Sequence, residues 1–184
     1  MAGSSFYDAG LIKQVAVNLF YGWGYNFYRQ ENQLRADDQL IRAKASTLLG
    51  QAVASLSAAE DAYRREFLPP PSRAAPFPNA AAVAQAQSLE RLGRSIAAIE
   101  SRLHAMPVPQ NDRMTQRYRQ EAPTLEALAA CDEQLIGKAD LLRTLIQTHQ
   151  ADWIVENLGV LEEGLASLQA TLQARQAILL EPSA

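Results

Sequence analysis

Apolar positions recur at steps of three and four along most of this chain, the spacing of a single helix face. From residue 29 to 67 the stripe runs through Leu34, Ile41, Ala45, Leu48, Ala52, Leu56, Ala59, Tyr63 and Phe67, while Arg35, Asp38, Arg42 and Glu60 fall off it. Pro69, Pro70 and Pro71 stop this helix, because proline lacks the backbone donor and its ring clashes with the preceding turn. A second stripe, over 79–106, passes through Val83, Ala86, Leu89, Leu92, Ile96, Ile99, Leu103 and Met106, with Asn79 as N-cap and Pro107 and Pro109 beyond its end. A third, over 123–149, carries Leu125, Leu128, Cys131, Leu135, Ala139, Leu142 and Ile146 and opens with Pro123 in its first turn. A fourth, over 152–180, carries Ile154, Leu158, Leu161, Leu165, Leu168, Leu172 and Leu179. No Pro or Gly separates the last two, but the stripe shifts phase by one residue between His149 and Ile154. That shift predicts a tight turn at His149 to Asp152, with Asp152 as N-cap.

Ahead of these, Leu11, Val15 and Leu19 mark a short amphipathic helix with Ser5 or Asp8 as cap, weakened at Gly22 and Gly24. No segment alternates with period two between hairpin signals. The fold class predicted is all-α: an antiparallel up-down four-helix bundle of long helices with an additional N-terminal helix, one domain over 1–184. At about 1.5 Å per residue the first bundle helix spans about 58 Å and the second about 42 Å, so with their ends tied at the proline loop the first projects roughly 16 Å past the second. Residues 1–28, the polar segment 110–122 and the end of the last helix then meet at one end of the bundle.

The composition adds bounds. Hydrophobic residues are 48% and charged residues 20% of 184, which suits a globular domain with a sizeable core. The formal net charge of −3 gives no general attraction to nucleic acid or anionic lipid. Cys131 is the only cysteine, which excludes an internal disulfide and a multi-cysteine metal site and points to a reducing compartment. The run from Leu11 to Tyr28 is interrupted by Lys13, Gln14, Asn18 and Asn26, so it reads neither as a signal peptide nor as a membrane span. A cytoplasmic location follows as the expectation.

Candidate chemistry is sparse. A carboxylate-bridged metal pair in a bundle needs Glu-x-x-His motifs on facing helices, but Glu100 and His104 are four apart and no second motif exists. His149 and Asp152 lack further zinc ligands, so no metal and no cofactor is assigned. Cys131 on an apolar stripe reads as a buried, inert thiol. There is no Gly-rich phosphate loop, no Gly-x-Ser-x-Gly elbow and no dinucleotide fingerprint. Arg143 and His149, with five residues between them and Thr144 after the Arg, resemble the Arg-x(4–6)-His signature of HEPN-type RNA-cleaving domains. That resemblance covers one short motif and implies an all-α RNase. A solvated Arg and a helix-end His account for the same residues.

Two features point to binding. Pro69 to Pro78 (PPPSRAAPFP) reads as a stiff polyproline-like connection with Phe77 tucked back onto the bundle, or more sharply as a docking site for a proline-recognition domain. Phe20, Tyr21, Trp23, Tyr25, Phe27 and Tyr28 belong to a segment that, with Phe6 and Tyr7, holds eight of the thirteen aromatic residues. One helix face cannot bury all of the rings between Phe20 and Tyr28. They cap the bundle end, form an interface with a partner or a second copy, or settle at a membrane surface, for which the usual basic face is missing. Arg113, Arg117 and Arg119 around Tyr118 lie at the same predicted end and either contact a ligand there or form a solvated turn. The chain therefore reads as a non-enzymatic bundle acting through protein–protein contact or self-association. A pocket for a small ligand at the aromatic end is the alternative.

Overall fold

The structure is a computed structural model that describes residues 33–73, 76–106 and 122–180. Five helices make it up: α1 (Gln33–Phe67), α2 (Ala80–Ala105), α3 (Ala122–Thr148), α4 (Ala151–Glu156) and α5 (Leu158–Leu180). Among the described residues there is no strand. The all-α bundle is therefore observed. The additional N-terminal helix falls outside the described residues, as do residues 29–32 at the start of the first predicted bundle helix.

Local signals place most helix ends where the pattern puts them. Asn79 caps α2, its Oδ1 accepting from the backbone N–H groups of Ala81 at 2.9 Å and Ala82 at 3.4 Å. α1 ends as the Leu68 N–H reaches the Arg64 carbonyl, one residue before the prolines. Pro123 occupies the first turn of α3. Two ends differ from expectation. The turn after α3 is at His149 and Gln150, and the N-cap of α4 is Gln150, with no side-chain cap bond, so Asp152 lies inside the first turn. The predicted helix 152–180 is also divided. At Asn157 the backbone leaves helical geometry (φ −109°, ψ 19°), its N–H and its Nδ2 both donate to the Trp153 carbonyl, and its own carbonyl starts α5 by accepting from Val160 and Leu161. Asparagine competes for backbone partners in this way, and the apolar stripe runs on through the break.

Cross-helix bonds fix the directions. Arg42 Nη1 donates to the Met106 carbonyl at 2.7 Å, and at the other end Tyr63 bonds Gln85, so α1 and α2 are antiparallel. Arg175 meets Asp132 and Lys138 meets Thr171, so α3 and α5 are antiparallel. The last turns of α2 and residues 169–176 in the second half of α5 line one groove, which makes these two parallel. The helices thus alternate in direction along the chain. Extended seams join α1 to α2, α1 to α3 and α3 to α5, while α2 and α5 meet over a shorter one. α2 and α3, consecutive in the chain, lie across the diagonal. With interaxial distances near 10 Å that diagonal is roughly 14 Å.

One core joins all five helices. Leu48 and Leu49 on α1, and Leu135 and Ile136 on α3, are buried as consecutive pairs, because each of these helices faces two long neighbours and needs a wide apolar face. α1 is paired with the end of α2 at Arg42, so it runs on for about 14 Å beyond that point at 1.5 Å per residue. This end, with the start of α1 and the last turns of α2 and α5, is the head of the bundle. The opposite end, with the proline connection and α4, is its base.

Phe77 corrects an expectation: it is 84% exposed, so it does not pack back onto the bundle. Cys131 is half-buried, not a core residue; Asp132 beside it takes the buried position.

Candidate functional site

The sequence places binding at the head, on Phe20, Tyr21, Trp23, Tyr25, Phe27 and Tyr28 and on Arg113, Arg117 and Arg119. All nine lie outside the described residues. Both segments join the bundle at the head, since α1 starts at Gln33 and α2 ends at Ala105. The described part of the head therefore carries the geometry.

A polar cluster closes the α1–α2 seam there. The Ser46 hydroxyl lies 2.7 Å from His104 Nε2 and 3.1 Å from Glu100 Oε1, although Ser46 itself is buried. The hydroxyl has one proton. With that proton donated to the carboxylate, His104 donates its Nε2–H to Ser46 Oγ, and the serine bridges an acid and a base on one face of α2. Gly50 lies beside this arrangement, where an added Cβ would meet Glu100 Oε1 at 3.4 Å, an ordinary contact.

Beside this cluster a groove of about 210 Å³ opens between α2 and α5, with Ile99, Met106 and Leu172 among its apolar walls and Arg102, Gln173 and Gln176 among its polar ones.

A second polar group lies in the α3–α5 seam. Arg175 Nε donates to Asp132 Oδ1 at 2.6 Å, with only 4% and 7% of the two side chains exposed. Lys138 Nζ donates to Thr171 Oγ1 at 2.7 Å and to the Ser167 carbonyl at 3.3 Å. Burial pulls the Lys138 ammonium below its ordinary value. Burial, and next the Asp132 carboxylate, pushes the Cys131 thiol up, the direction of an inert thiol. The apolar pattern missed this pair, yet it carried a signal. Arg175 stands three residues after Leu172 and four before Leu179, in phase with the stripe of α5.

Arg143 and His149 have separate local engagements. Arg143 pairs with Asp140 at 2.6 Å and also bonds Gln147. His149 stacks on Trp153 with ring centroids 3.7 Å apart, its Nδ1 lying 2.8 Å from the Leu145 carbonyl. Among the described residues no group of three or more His, Cys, Asp or Glu could hold a metal ion, and no helix is long and apolar enough to cross a membrane. Comparison with protein-family models, with curated proteins and with solved structures found no match.

Proposed function

We propose that this chain is a non-enzymatic helical bundle that acts through protein–protein contact at its head, self-association being the form to test first. The observation that carries the reading is the projection of α1. It runs about 14 Å beyond its pairing with the end of α2, so the segment bearing Phe20 to Tyr28 joins the bundle past the last turn of α2. Tyr, Trp and Phe are the residues enriched at the centres of protein interfaces.

A small-ligand reading draws on the groove between α2 and α5. Its volume of about 210 Å³ falls below the ~300–1,000 Å³ of most small-molecule sites, while the aromatic end itself lies outside the described residues.

Size-exclusion chromatography with light scattering tests the proposal on the full chain. The expected result is a mass above that of one chain, lowered by Trp23→Ala. A concentration-independent monomer in which Trp23 fluorescence resists acrylamide, read in a Trp153→Phe background, would overturn it.

A further inference from the structure

We draw no further inference here: the strongest candidate, the groove of Ile99, Arg102, Met106 and Leu172 between the last turns of α2 and the second half of α5, lies at the head where two stretches outside the described residues join the bundle, and nothing in the structure shows what covers it.

Discussion

The α3–α5 and α1–α2 seams are both antiparallel helix pairs, yet they treat charge in opposite ways. α3 and α5 enclose Asp132 and Arg175 almost completely. α1 and α2 keep their centre apolar, around Leu49, Leu56, Leu89 and Ile96. Their charges stand at the edges, as in the Arg64–Glu60 pair with side chains 43% and 17% exposed. The difference separates stability from specification. An exposed pair is worth about 0–1 kcal/mol. A buried pair roughly breaks even against apolar residues of the same size, but losing one partner strands the other in the interior. Asp132 and Arg175 therefore hold α3 and α5 in one register, since sliding either helix by a turn would strand both charges. The α1–α2 seam carries polar bonds toward its two ends, Ser46 with Glu100 and His104 and Tyr63 with Gln85, around an apolar centre.

The largest effect expected from breaking this contrast is on Arg175. Arg175→Met should destabilise the fold by about 3–5 kcal/mol in urea unfolding, because Asp132 loses the guanidinium while remaining buried. Asp132→Leu/Arg175→Met should recover most of that loss. If the double variant is as unstable as the single one, the pair contributes packing and not register. Next is Ser46→Ala at the edge of the other seam. Glu100 is half-buried and His104 exposed, so both can turn to water, and the expected loss is only about 0.5–1 kcal/mol by thermal or chemical denaturation.

Gly50→Ala should act in the opposite direction by a similar amount. The added methyl meets only the far end of the Glu100 side chain, at 3.4 Å, and alanine in place of a mid-helix glycine gains about 0.5–1 kcal/mol. A fall in stability would show that Glu100 cannot yield. The smallest effect concerns Cys131. Its folded thiol pKa lies above the unfolded value, so stability is lost as pH rises through the ordinary thiol range. Lys138 is lowered, so the folded chain sheds that proton first and gains stability toward the ordinary lysine value. The two oppose each other, and Cys131→Ser should steepen the alkaline gain. Alkylation of Cys131 near pH 8 should be several-fold slower in the folded chain than in urea.

Much of the fold is legible in the amino-acid pattern. The stop at Pro69, the Asn79 cap and the stripe of α2 from Ala86 to Leu103 all recur in place, because each rests on interactions within a turn or two. The break at Asn157 is hidden for a different reason. The apolar stripe continues across it, and periodicity does not register a side chain that takes the Trp153 carbonyl. Phe77 departs from expectation because a large ring is usually buried, whereas here it stands between Pro76 and Pro78, which restrict the backbone on either side. At the site the pattern reaches less far. Ser46 and Glu100 read as surface polar residues until α2 lies against α1 and brings them within 3.1 Å.

Taken alone, the sequence determined that this protein is helical, where most of its helices stop and which faces they bury. Those properties follow from spacing, caps and prolines acting over a few residues. Only the tertiary structure decided which helices are neighbours, with α2 and α3 set across the diagonal, and which charges are interior. Asp132 and Arg175 are forty-three residues apart in the chain. Nothing local ties them together; they meet because the antiparallel packing of α3 on α5 brings them face to face away from water.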